Sequence, residues 1–343
     1  MSPRLLSYAQ RFEDLYLLRC FPDQPNGFYV DIGSGHPVHD NVSFAFYLKG
    51  WRGVVAEPNP RLARLTRAVR LRDKIHEGIV GAATGNADFY LVDDFHGFST
   101  GIAANAETAL AQYGKSSKKI AVRCVTLAEL SADAASGTID FLKVDVEGAE
   151  AEVLMSGDWT RFRPKIVVVE ALAPFTQEPA WDVFEPFLIE QGYRYVWFDS
   201  LNRYYLASEA SDLARHFEAG SIPAEHVELF RDAGRALERE AHPDHHLAKL
   251  LGTAPMADLP LCDAAHLLGL LTDGLSTAEL SRPMETRDLP AMCQRVFGRA
   301  CTAYESRQLA LPPGAAVRDL YACLVDSDLF RTACGRIAAG YAW

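Results

Sequence analysis

The stretch GFYVDIGSGHP, residues 27–37, runs from β-forming residues straight into a pair of glycines. Phe28, Val30 and Ile32 read as a buried strand, and Gly33-Ser34-Gly35 as the turn that ends it. Glycines at such a strand end let the backbone bend tightly and come close to a bound ligand. The dinucleotide fingerprint needs another glycine three positions after Gly35, where a helix N-terminus takes the pyrophosphate. Val38 stands there, so the pattern is not a dinucleotide turn.

Similar runs follow. RGVVAEP (52–58), KIHEGIVGAA (74–83), DFLKVDVEG (140–148) and KIVVVEA (165–171) read as further strands, with an amphipathic helix in PRLARLTRAVRLR (60–72). Strands alternating with helices imply a parallel sheet covered on both faces. YRYVWFDSLNRYYLAS (193–208) breaks that pattern as two aromatic strands joined by Asp199-Ser200-Leu201-Asn202, a hairpin. The expected fold class is α/β, a seven-stranded Rossmann-like sheet with one reversed strand, followed by a small all-helical C-terminal domain.

The chain has 343 residues, with 45 acidic and 34 basic side chains and a formal net charge of −11. A nucleic-acid binder needs a basic footprint, so the balance argues against that class. The seven cysteines, at 20, 124, 262, 293, 301, 323 and 334, are odd in number and form no Cys-x-x-Cys pair. Neither a disulfide framework nor a zinc site is expected, and a reducing, cytoplasmic setting is. MSPRLLSYAQRFEDL (1–15) lacks the apolar core of a signal peptide, and no run of about 20 apolar residues predicts a membrane span. Past residue 210 the composition shifts. The expected division is a sheet domain over 1–210, a charged helical connector over 211–255 and a helical domain over 256–343, with TAPMADLP (253–260) read as a linker. HPDHH (242–246) reads as an exposed loop.

Several groups can carry chemistry. Asp31, Gly33, Ser34 and Gly35 suit S-adenosylmethionine, whose amino-acid part bears an ammonium. Glu57, 26 residues after Asp31, ends the second strand and can accept both ribose hydroxyls of a nucleoside. KVDVEGAE puts Asp145, Glu147 and Glu150 within six residues at the C-terminal end of a strand, where open α/β sheets bind ligands. Asp145 and Glu147 can contact cofactor or substrate, act as a base, or hold a divalent metal through oxygen. A metal is compatible with these residues but is not predicted. Glu150 reads as a first-turn helix acid. His36 is a further candidate base, placed in the loop after the glycines. The stretch 93–119 reads as a lid or substrate loop, its Lys115, Lys118 and Lys119 turned to an anionic acceptor or to solvent.

Together these motifs resemble the FkbM family of class I S-adenosylmethionine-dependent methyltransferases. The resemblance spans about residues 7–208 and rests on SYAQRFEDL, GFYVDIGSGHP, FYLKGWRGVVAEPNP, VTLAEL (125–130), IDFLKVDVEGAEAEVL (139–154) and RPKIVVVEA (163–171). It implies a sheet ordered 3-2-1-4-5-7-6 with the last strand antiparallel, and O-methylation of a hydroxyl on a sugar, glycan or related natural product. It would place Asp31, Gly33 and Gly35 along the methionine part, Glu57 at the ribose, Asn59 near the ribose or adenine, and Gly81-Ala82-Ala83 beside the adenine. Asp145 would face the methyl-transfer site with Glu147 beside it. Gln10, Glu13 and Asp14 would form a helix over the cofactor. Where the family commonly has Gly-Ala-Asn, this chain has Gly33-Ser34-Gly35-His36. RVFGRACTAYESRQLA and LVDSDLFR distantly resemble a helical module of unknown function found beside glycan enzymes. Two competing readings are a nucleotide-binding oxidoreductase or epimerase, and a non-catalytic S-adenosylmethionine-binding module. In the second, the C-terminal helices recruit a partner protein or a second copy.

Overall fold

The computed structural model describes residues 5–92, 99–134, 138–176 and 178–341. They divide into two compact units: residues up to 67 together with 72–230, and residues 68–71 together with those from 231 onward.

The strands of the first unit are β1 (Leu5–Ser7), β2 (Phe28–Ile32), β3 (Arg52–Ala56), β4 (Lys74–His76), β5 (Gly78–Val80), β6 (Gly85–Val92), β7 (Ser117–Val125), β8 (Phe141–Val144), β9 (Ile166–Glu170), β10 (Tyr193–Phe198), β11 (Asn202–Ala207) and β12 (Val227–Leu229). Seven of them form one sheet in the order β10-β11-β9-β8-β2-β3-β4. Within it β11 runs antiparallel to both neighbours, while β9, β8, β2, β3 and β4 pair in parallel. Side chains alternate across a strand, so a doubly covered sheet must be apolar on both faces. Val30, Val54, Leu142, Val144 and Val167 fill one face; Tyr29, Val55, Phe141, Ile166 and Val168 fill the other.

The first helices along the chain are short: α1 (Glu13–Cys20), α2 (Phe44–Leu48), α3 (Pro60–Val69), α4 (Ala103–Tyr113), α5 (Leu127–Ser131) and α6 (Glu150–Met155). Leu15, Leu17 and Phe46 of α1 and α2 pack on the Tyr29 face, and Leu127, Leu130, Val153 and Leu154 of α5 and α6 on the Val30 face. Thr126 and Glu129 form a capping box that starts α5.

Several expectations need revision. The stretch 74–83 is not one strand. It leaves the main sheet after His76, and β5 joins a second sheet ordered β5-β7-β6. Of the stretch 93–119, residues 93–98 lie outside the described residues, and the remainder supplies α4 and the start of β7. Segment 211–255 does not behave as a connector. Phe217, Ile222 and Val227 enter the core that contains α1, and β12 pairs in parallel with β1. Beyond 230, Ala236, Leu247, Ala248 and Leu251 belong to the core of the second unit, as do Ala254, Met256 and Leu259 of the expected linker. The charged residues between them concealed this apolar set.

The second unit is helical, its core built from Leu267, Leu271, Val296, Leu320, Leu324, Phe330 and Ile337 at helical spacing. HPDHH is no exposed loop: His242 and Asp244 are each 4% exposed. Asp244 accepts two hydrogen bonds from Arg336, at 2.7 and 2.6 Å. Cys293 and Cys301 are brought together, their Cα atoms 5.7 Å apart, within reach of a single disulfide. The helix Asp288–Phe297 ends between them, so the chain turns back and eight residues of separation become contact. Among the described residues no helix is long and apolar enough to cross a membrane.

Candidate functional site

The parallel strands end at a cavity of about 340 Å³ in the first unit. Its floor is the glycine turn after β2. Gly33 has φ +73°, and a Cβ there would sit 1.7 Å from the backbone oxygen of Asp145. Only a residue without a side chain lets the turn pass so close to the end of β8. The N–H groups of Gly33 and Ser34 donate to Ala56 O, at 3.0 and 3.2 Å. The Ser34 hydroxyl is buried at the cavity with no hydrogen-bond partner in the protein among the described residues.

Glu57, just past β3, closes this turn. The Gly35 N–H donates to its Oε2 and the Asn59 N–H to its Oε1, both at 2.8 Å. Burial lifts its carboxyl to about 7, against the pull of those two amides and of Lys143. Asn59 lines the cavity and caps α3, accepting the N–H of Arg61 at 3.0 Å. Ile79, Val80 and Phe89 make the apolar wall, with Gln10, Ser99, Gly101 and Leu201 around the rim.

The charged end lies beyond β8. Lys143 is buried, and its Nζ donates to Asp145 Oδ2 at 3.0 Å and to Gly33 O at 3.2 Å. Burial works against its charge, but Asp145 and Asp31 outweigh that and hold the ammonium well above the ordinary lysine range. Asp145, Glu147 and Glu170 each present a carboxylate oxygen, all within 4.8 Å of one another. Glu147 sits at φ +57°, its backbone oxygen accepting from Asn105 Nδ2 at 2.8 Å and Thr100 Oγ1 at 3.2 Å. Burial, then the charges of Asp145 and Glu150, pushes Glu147 well above the usual carboxylate range. Burial does the same for Glu170, followed by Asp145, Glu147 and Glu150. Such a cluster offers oxygen ligands to a divalent cation, or shares protons. Glu150 is tied down, accepting the N–H groups of Val146 and Gly148 at 3.1 Å.

Of the residues predicted from sequence, Gln10, Gly33, Ser34, Gly35, Glu57, Asn59, Asp145 and Glu147 line the cavity. Four are placed elsewhere. Asp31 is buried below the turn, where its carboxylate accepts from Ser43 Oγ; it acts on the site through its charge on Lys143. Glu13 is buried at the start of α1, accepting from Asn202 Nδ2 at 2.9 Å, and burial followed by Asp199 raises it to about 8. It fastens the leader to β11, and Gln10, just before the helix, is what reaches the cavity. His36 is 1% exposed and outside the lining; the N–H groups of Val38 and His39 donate to its Nδ1 at 3.2 and 3.3 Å. Its ring holds the loop that follows the glycine turn. Ala82 is exposed and outside the lining, because the chain leaves the main sheet at β5; Gly78, Ile79 and Val80 take the expected place.

Lys143 and Glu170 escaped the sequence reading. Lys143 lies two residues before Asp145, on the same face of β8 by strand alternation. Glu170 ends the apolar run KIVVVEA as Glu57 ends RGVVAEP, so the same signal was present.

Residues 31–195 match the family model described as the methyltransferase FkbM domain. No curated protein matches the chain.

Proposed function

We propose that the FkbM methyltransferase domain to which residues 31–195 belong transfers a methyl group from S-adenosylmethionine to a hydroxyl of a sugar, glycan or related natural product. The observation that carries this reading is the glycine turn locked to Glu57 at the edge of the cavity. The residues present fit the cofactor. The unpartnered Ser34 hydroxyl and the exposed backbone of the turn suit the polar amino-acid part. The Glu57 carboxylate suits ribose hydroxyls, and Ile79, Val80 and Phe89 suit a flat apolar base. When bound, S-adenosylmethionine supplies a methyl group already activated on a sulfonium. The protein's task is then to hold an acceptor hydroxyl in line, and positioning of this kind is worth up to about 7–11 kcal/mol. Asp145 and Glu147 face the cavity as the carboxylates beside which that hydroxyl sits.

Calorimetry with S-adenosylhomocysteine and with NAD tests the reading. S-adenosylhomocysteine is expected to bind and NAD not to; the reverse overturns it. Labelled S-adenosylmethionine offered with a panel of methyl glycosides then tests transfer to a hydroxyl.

Glu57 gives this binding a pH dependence. Ribose hydroxyls need an ionised carboxylate as acceptor, and the buried carboxyl ionises near pH 7. S-adenosylhomocysteine affinity is therefore expected to rise as pH rises through about 7. Glu57→Gln should weaken binding at pH 8 by about 10–100-fold, the loss of a charged hydrogen bond, and abolish the rise. In the ligand-free protein the sign is opposite. A raised carboxyl stabilises the fold fully below the ordinary glutamate range and loses that contribution as pH climbs through about 7. Unfolding measured across that window should flatten in Glu57→Gln.

A further inference from the structure

We propose that Glu170 takes the proton from the acceptor hydroxyl, with Asp145 as the residue that positions it; this rests on reading the cavity as a methyl-transfer site. The register of the sheet brings the two together. Val144 pairs with Val169 across β8 and β9, so Asp145 and Glu170 follow side by side at the C-terminal edge. Both line the cavity.

The carboxylates of this cluster are not equivalent. Asp145 is engaged by the Lys143 ammonium, which donates to its Oδ2 at 3.0 Å. Glu150 is occupied by two backbone amides. Glu147 stands on a turn. Glu170 stands on a strand of the main sheet, and its Oε2 is buried with no hydrogen-bond partner among the described residues. The groups that face it are Asp145 and Glu147 from the end of β8 and Glu150 from α6, all acidic, with Lys143 behind Asp145. A carboxylate oxygen that receives no donor and stands against other carboxylates holds a proton strongly. An acceptor hydroxyl in the cavity supplies the missing donor. A divalent cation bound to the three carboxylates is the competing account. The Lys143 ammonium already occupies the charge-compensating position beside Asp145, which favours the proton.

The balance is simple. The acceptor oxygen forms its bond to the methyl carbon as the carbon–sulfur bond breaks, and that bond's electron pair stays on sulfur. The hydroxyl proton moves to Glu170. A cationic sulfonium and a carboxylate become a neutral thioether and a carboxylic acid, with no other reactant needed.

The test has two arms. Infrared titration of the ligand-free protein with labelled glutamate should show protonated-carboxyl bands, one of which Glu170→Gln removes. That band's titration midpoint should fall to lower pH in Asp145→Asn, where a negative neighbour is gone. In the second arm, methyl transfer to the glycoside panel should fall about 100-fold or more in Glu170→Gln. The rise of rate with pH should be lost, while S-adenosylhomocysteine binding stays within about twofold, which also shows that the variant is folded. Glu170→Asp should recover part of the rate. A wild-type rate and pH profile in Glu170→Gln, or an unchanged infrared band, overturns the proposal. So does magnesium that binds by calorimetry, is lost in Glu170→Gln and is required for transfer. A wild-type protein that binds S-adenosylhomocysteine but methylates no glycoside refutes only the acceptor class, and the infrared band then decides Glu170. One that binds no S-adenosylhomocysteine overturns the methyl-transfer reading and this proposal with it.

Discussion

Gly33→Ala is expected to abolish measurable S-adenosylhomocysteine binding and to destabilise the first unit by more than about 3 kcal/mol. Two costs combine. The residue sits at φ +73°, and a left-handed conformation costs an ordinary L-residue about 1–2 kcal/mol. The larger cost is steric: the added carbon would lie 1.7 Å from Asp145 O. Backbone meets backbone there, so no side-chain rotation relieves the overlap, and the end of β2 must part from the end of β8. That separation also breaks the Lys143 Nζ bond to Gly33 O and moves the cavity floor. Gly114→Ala is the control. Gly114 ends α4 at φ +64° with open space around it, so it should lose only the conformational term and keep full binding. Thermal unfolding and calorimetry of the two variants decide the matter. Equal losses in both would show that the close approach to Asp145 is unimportant.

Lys143→Met should lower stability by about 3–5 kcal/mol, the cost of stranding buried charge by deleting one partner. For a domain of this size that is a fall in Tm of roughly 6–20 °C. The ammonium balances Asp145 and Asp31, and it donates to the glycine turn. A methionine fills similar space, so the loss reports charge and not packing. Adding Asp145→Asn to Lys143→Met should restore part of the stability, because one stranded carboxylate has been neutralised. A single variant as stable as the parent chain would show that solvent or proton uptake already screens these acids.

What could be read from residues, and what could not, follows one physical line. Gly33, Glu57 and Asp145 stood out because each interrupts an apolar run at the point where a strand must end, and the local contrast is large. Lys143 and Glu170 carry as much charge but sat inside or at the tail of runs read only for hydrophobicity. His36 had the right chemistry and proved to be a loop residue, since its Nδ1 accepts two backbone amides. Ala82 missed the cavity because the chain left the main sheet earlier than its apolar run suggested. The boundary expected near 210 moved to about 230, because Phe217, Ile222 and Val227 pack with α1, contacts that no local pattern announces.

The order of residues determined the alternation of strand and helix, the glycine turn and the match of residues 31–195 to the family model, all properties of segments whose period and composition are local. Tertiary structure decided which charges meet. Lys143, Asp145, Glu147 and Glu170 come from the ends of two strands brought side by side by parallel pairing, with more than 20 residues between the first and the last. The proton affinities of Lys143, Glu147 and Glu170 depend on that meeting and on the burial that comes with it, which composition and spacing do not encode.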